Sequence, residues 1–301
     1  MTLFDLVSNL SKQTTIDFKK AAEDIKKFVG GLSDDDFIYT VSVIGIIPES
    51  IEHDSSEEKL YSKASDVVLA ECFNRLGLSS RVLLERGDSA DIIAQSRSGY
   101  NYSLVADAKC FRLSRTAKNQ KDFKISNLSS WRGDENEYAV LVAPYFQYPK
   151  SNSQIYSKAL ENNVCLLSWE HILVLLKCKV KETENFNLES LWNASSMIAR
   201  NTTVSMSSKS TLLPKMDTYV SKKAGINAEE FNGILSECRN DIIRRGQIGI
   251  QYWNREIEKI RAYSREQAIE ELIKSKKLEH KIDTIGKYIQ KLQKGVKNGK
   301  G

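Results

Sequence analysis

Tyr102-Ser103-Leu104-Val105-Ala106-Asp107-Ala108-Lys109 is a short apolar run that carries an acid and a base in its last three positions. A run of this composition reads as a strand. Strand side chains alternate faces with period two, so Asp107 and Lys109 point one way and Ala106 and Ala108 the other. Upstream, Asp91-Ile92-Ile93-Ala94 is a second strand-like run, and it begins with an acid. A hairpin through Ser96 to Asn101 brings Asp91 near Asp107. Arg81 to Glu85, Tyr138 to Pro144 and Val164 to Ser168 also read as strands, and Ser151 to Glu161 as a helix. Strand, helix, strand in that order predicts a crossover and some parallel pairing. The expected fold class is α/β: a mixed central sheet flanked by helices, with a mainly helical C-terminal region.

Outward from this centre, residues 1–50 form an N-terminal helical region. Phe4, Val7 and Leu10, then Ile25, Phe28 and Val29, recur at three- and four-residue steps, the period of a helix face. Ser33 precedes Asp34, Asp35 and Asp36 as a helix cap precedes an acidic first turn, and Pro48 interrupts. A second helix is expected from Ser55 to Leu76, with Glu57 and Glu58 in its first turn, Leu60, Ala64, Val67, Val68 and Phe73 on one side, and Gly77 at its end. Residues 51–195 form the core domain, within which Trp169 to Cys178 is a buried apolar helix. Residues 196–216 are rich in Ser and Thr and read as a linker or long loop. Residues 217–301 return to helical periodicity, with Ile248, Tyr252, Ile257, Ile260 and Tyr263 marking an apolar stripe. The basic, glycine-containing end from Lys291 to Gly301 is expected to fray.

The 301 residues are 41% hydrophobic and 28% charged, the balance of a globular protein. The net charge of +5 is too small to specify a nucleic-acid partner by itself, so its distribution decides. Cys72, Cys110, Cys165, Cys178 and Cys238 form no CxxC pair, which argues against a zinc ribbon or a thioredoxin-type motif. They read as small buried hydrophobes in a reducing compartment. No apolar run reaches the roughly 18 residues of a membrane span, and Met1 to Phe18 lacks the basic start of a signal peptide. A cytoplasmic location is expected. No GxxxxGK[ST] occurs, and Gly87 alone does not supply a dinucleotide loop. His53, His171 and His280 are isolated, which disfavours a His-metal nuclease. His171, inside an apolar helix, reads as structural.

Acids at the ends of apolar strands are costly unless paired or bound to metal. Asp91, Asp107 and Lys109 together offer two carboxylates and an ammonium. Hard oxygen ligands suit Mg²⁺, held by one or two carboxylates plus substrate phosphate. A lysine beside them can orient the attacking water or offset charge in phosphodiester cleavage. Asp-x-Lys alone is a weak signal; the upstream Asp91, the short hairpin and the acidic helix carrying Glu58 strengthen it. Directly downstream runs Arg112 to Lys124. Arg112, Arg115, Lys118, Lys121 and Lys124 stand against Asp122, a local +4 (five minus one). Neutralising phosphate is a dominant part of DNA affinity, and Asn119, Gln120 and Asp122 have the chemistry to read base edges. Asp122 and Lys124 form a second Asp-x-Lys outside any strand pattern, so Asp107 and Lys109 are preferred. Tyr145, Phe146, Tyr148 and Trp169 read as packing rather than as a stacking platform.

The stretch Leu104 to Lys109, followed by Phe111 to Lys124, resembles the HindIII group of type II restriction endonucleases. Ser42-Val43-Ile44-Gly45-Ile46, Glu58-Lys59-Leu60, Ala139 to Pro144, Phe146 to Pro149 and Ser168-Trp169-Glu170-His171 agree in order and spacing. The resemblance covers residues 40–195 strongly and continues more weakly through Tyr263 to Glu270. It implies a PD-(D/E)xK nuclease core of EcoRI type, a homodimer, and Mg²⁺-dependent cleavage of double-stranded DNA at AAGCTT after the first A, with a 5′ overhang. It also implies a cognate methyltransferase in the host. Carried over, Asp91 and Asp107 are metal ligands, Lys109 is the catalytic lysine and Glu58 is the helix carboxylate beside the site. Asn119, Lys121 and Asp122 lie in the recognition segment. Ala90 stands where the nominal motif has proline. The rival reading is a sequence-specific DNA-binding protein without catalysis, and Mg²⁺-dependent strand cleavage separates the two.

Overall fold

In the computed structural model, which describes residues 1–13, 15–83, 90–115, 120–149, 153–201 and 208–297, the strand expected at 102–109 lies at the centre of a sheet. Among the described residues the strands are β1 (Leu78–Val82), β2 (Ile92–Ser96), β3 (Ser103–Ala108), β4 (Tyr138–Ala143) and β5 (Val164–Ser168), in the order β1-β2-β3-β4-β5. β1, β2 and β3 pair antiparallel, and β3, β4 and β5 pair parallel. Every residue of β4 and β5 is buried, as expected of parallel strands covered on both faces. The sheet is mixed, as the strand and crossover pattern predicts.

The helices are α1 (Leu3–Ser11), α2 (Phe18–Gly30), α3 (Asp34–Ile44), α4 (Ser56–Arg75), α5 (Gln120–Phe123), α6 (Ile125–Arg132), α7 (Ile155–Glu161), α8 (Trp169–Lys177), α9 (Glu189–Trp192), α10 (Ala194–Arg200), α11 (Lys209–Ala224), α12 (Ala228–Arg261), α13 (Arg265–Ser275) and α14 (Leu278–Lys297). Two compact units divide them, Met1–Gly249 and Ile250–Gly301.

In the first unit α4 is the organising helix. Ser55 caps it by accepting from the Glu58 N–H at 3.1 Å. Leu60, Ala64, Val68 and Phe73 are fully buried. Gly77 then takes φ +97°, where a Cβ would stand 2.7 Å from the Glu182 carbonyl; only glycine fits this turn. Residues 1–50 share the core with the sheet: Val7, Ile25 and Phe37 are completely buried in the same cluster as α4. The segment read as a linker is helical at both ends, because Ala194, Ser195 and Ile198 of α10 and Leu212, Leu213 and Met216 of α11 are buried. Apolar positions hidden among serines and threonines outweigh the loop-like composition there. Its middle, 202–207, lies outside the described residues, as do Leu84 and Glu85 of the first expected strand, Gly87, the start of the 151–161 helix, and the chain end beyond 297.

His171 is structural, as the sequence reading holds. Its Nδ1 accepts from the Ser168 N–H at 3.1 Å and its Nε2 lies 2.8 Å from Asp217. Nδ1 is therefore the acceptor and Nε2 carries the proton, joining α8 to α11.

The second unit contains the end of α12, α13 and α14. Ser264 caps α13 with Gln267 in a capping box. None of its described side chains is buried. Among the described residues no helix is long and apolar enough to cross a membrane.

Candidate active site

The register of β2 on β3 pairs Ile92 with Ala106, so Asp91, one residue before β2, comes opposite Asp107. α4 passes beside this edge and adds a third acid, Asp66. One carboxylate oxygen from each of Asp66, Asp91 and Asp107 lies within 4.8 Å of the others. Asp107 is 1% exposed and Asp66 7%. Lys109 forms an ion pair with Asp107. Lys63 lies 3.5 Å from Asp66 and 3.9 Å from Asp91.

Burial holds both inner acids above their ordinary range. For Asp107 the Lys109 ammonium opposes burial, while Asp91 adds to it. Asp66 is raised too, by burial first and then by Asp91, with Lys63 opposing. Two like charges close together disfavour joint ionisation. A divalent cation relieves that repulsion, and three oxygen donors in one cluster are the donor set that Mg²⁺ takes. The residues present therefore fit the ion.

The lysine is held by its backbone as well. Its N–H donates to the Val142 carbonyl at 2.8 Å, and its carbonyl accepts from the Trp169 indole N–H at 2.9 Å. Trp169 packs in turn against Gly45, where a Cβ would meet the indole Cδ1 at 2.6 Å. Two sequence segments far apart thus fix the backbone of one residue, and Trp169 is a packing residue as expected.

The acids and Lys109 face a cleft of about 460 Å³, whose walls also carry Lys59, Lys63, Arg115, Asp122 and Lys124. Part of the basic run therefore borders the carboxylates. Arg115 lies 2.5 Å from Asp122. Lys124 adopts a left-handed backbone, φ +45°, just before α6, and its charge acts on Asp107. The second Asp-x-Lys is thus on the cleft wall, outside the strands. Lys118 and Asn119 lie outside the described residues, as do the side chains of Gln120 and Lys121.

Two expected site residues stand apart from the cluster and pair with one another. Arg112 is 8% exposed and donates through Nε and Nη2 to Glu58 Oε1 at 3.0 and 2.8 Å, and through Nη1 to the Pro48 carbonyl at 3.2 Å. Glu58 also accepts the Asp54 N–H at 2.7 Å. Glu58 sits two turns before Asp66 on α4, so the helix acid nearest Asp91 and Asp107 is Asp66. Sequence reasoning missed Asp66, Lys59 and Lys63. The available signal was a charge inside Ala64-Ser65-Asp66-Val67-Val68-Leu69, where an acid is out of place unless it is used.

The profile of the HindIII restriction endonuclease family matches residues 2–289. The chain belongs to that family. It is 43% identical over 296 residues to the type II restriction enzyme HindIII of Haemophilus influenzae, covering 98% of this chain and 95% of that relative. HindIII likeness thus spans both compact units and includes every strand that carries the acids.

Proposed function

We propose that this chain is a type II restriction endonuclease that hydrolyses double-stranded DNA at AAGCTT, after the first A, as a homodimer using Mg²⁺. The observation that carries the reading is the meeting of Asp66, Asp91, Asp107 and Lys109 at one cleft in a HindIII-family chain. Bound Mg²⁺ supplies Lewis-acid activation of the phosphoryl oxygen and of a water. Asp91 and Asp107 are its ligands, with Asp66 completing the acidic wall. Lys109, fixed by Val142 and Trp169, orients the attacking water and offsets developing negative charge. Lys59, Lys63, Arg115 and Lys124 line the cleft and receive the phosphate backbone. Asn119, Lys121 and Asp122 belong to the segment that reads bases. A palindromic site is met most simply by a two-fold protein. The working place is the cytoplasm, beside a cognate methyltransferase that protects the host's own sites.

A plasmid with a single AAGCTT tests the reading. Linearisation with Mg²⁺ and not with EDTA, abolished when one base of the site is changed, is the expected outcome. Salt-sensitive, site-selective binding without cleavage would favour the binding-only alternative. The absence of both cleavage and site-selective binding would overturn the proposal.

A further inference from the structure

Among its described residues the second unit has helices and no core. Ile250, Trp253, Ile257 and Ile260 of α12 repeat at steps of three, four and three, and each is 46% exposed or more. Leu278, Ile282, Ile285 and Ile289 of α14 repeat at four, three and four, with Ile282 71% exposed. Alternating steps of three and four are the seam of a coiled coil. A helix with such a stripe is stable only when the stripe is covered by another element. None of the described residues from 250 onward is buried, so the unit does not cover its own seams.

We infer that these two seams are the docking surface for a second copy of this chain. The inference rests on the two-copy reading above and names its surface. Exposure supports it: eleven large apolar side chains between Ile250 and Ile289 are each 37% exposed or more, a density of exposed apolar groups that marks an interaction surface. Charge supports it too. Glu256 and Arg261 flank the α12 seam five residues apart with opposite signs, the spacing at which flanking charges of two parallel, in-register helices meet. Among the described residues their ion-pair partners are exposed and on their own helix, Lys259 at 2.6 Å and Glu258 at 2.8 Å.

Sedimentation equilibrium of the full chain tests this, with Ile257→Glu, Ile285→Glu and the outer-face control Gln251→Glu. The expected result is a dimer for the unaltered chain and the control, and self-association at least about tenfold weaker for each seam variant, because like charges are forced together. Circular dichroism should show the helices retained. A monomeric unaltered chain, or seam variants that dimerise as tightly as the control, would overturn the inference. In the second case two copies meet elsewhere, and cleavage of AAGCTT by the same samples still stands or falls separately. A chain that dimerises through the seam and does not cut would sink the nuclease reading and leave this one intact.

Discussion

Asp66 is the most informative single residue in the site. It is buried on a helix, faces Asp91 and Asp107, and among the described residues has only Lys63 as an ion-pair partner within 4 Å. Burial holds it and Asp107 above the ordinary carboxylate range. The folded chain therefore binds those protons more tightly than the unfolded chain. The resulting penalty is absent below the ordinary carboxylate value and grows as pH rises, until the folded-state groups have ionised. Metal-free protein should accordingly lose stability as pH rises from the acid range, and Mg²⁺ should restore it by binding the native state. The gap in Tm between Mg²⁺ and EDTA samples should widen with pH; a gap independent of pH would contradict the metal role of this cluster. Asp66→Asn removes the raised acid. We expect it to raise the Tm of metal-free protein by about 2–4 °C, the shift for roughly 1 kcal/mol in a domain of this size, while slowing cleavage at least tenfold. Loss of both stability and activity would mark Asp66 as a packing residue instead.

At the scale of elements, α3, α8 and the end of β3 converge on Lys109 through Gly45 and Trp169. Gly45→Ala places a methyl 2.6 Å from the indole. Overpacking of this kind costs about 1–3 kcal/mol, and the displaced indole loosens the lysine backbone. Denaturant melts and cleavage rates should both fall, and no change in either would remove Trp169 from the positioning role. Arg112 belongs to this scale too. It was read as a DNA contact because it opens the basic run, yet the chain turns there and the guanidinium ties that run to Glu58 and Pro48. Arg112→Ala leaves a partly buried carboxylate alone and should cost about 3 kcal/mol in a urea melt. A variant of native stability with weakened DNA binding would restore the phosphate role.

These cases show what was legible in the sequence. The sheet was readable because β-branched runs and the 91–109 hairpin carry strong local signals, and the acids at 91 and 107 with Lys109 followed from register alone. Asp66 was legible only as an acid out of place in an apolar helix run; its meeting with Asp91 and Asp107 was not, because the position of α4 against β2 and β3 is a tertiary fact. The pairing of Glu58 with Arg112, 54 residues apart, was hidden for the same reason. The helical ends of 196–216 escaped because Ser and Thr composition masked a few buried apolar positions.

At the scale of the whole molecule, the first unit carries the acids and the basic wall, and the second carries uncovered apolar seams. The net +5 is small, so on the proposed reading DNA affinity depends on where cations gather rather than on their sum. The most direct test compares binding and cutting in one variant. Asp107→Asn keeps the shape of the buried side chain and removes its charge. An AAGCTT duplex should be bound by this variant and by the unaltered chain with comparable affinity in Ca²⁺, while single-turnover cleavage in Mg²⁺ should fall by at least about a thousandfold, the scale on which loss of an essential catalytic group is felt. Cleavage within a few-fold of the unaltered chain would contradict a catalytic centre built on Asp107.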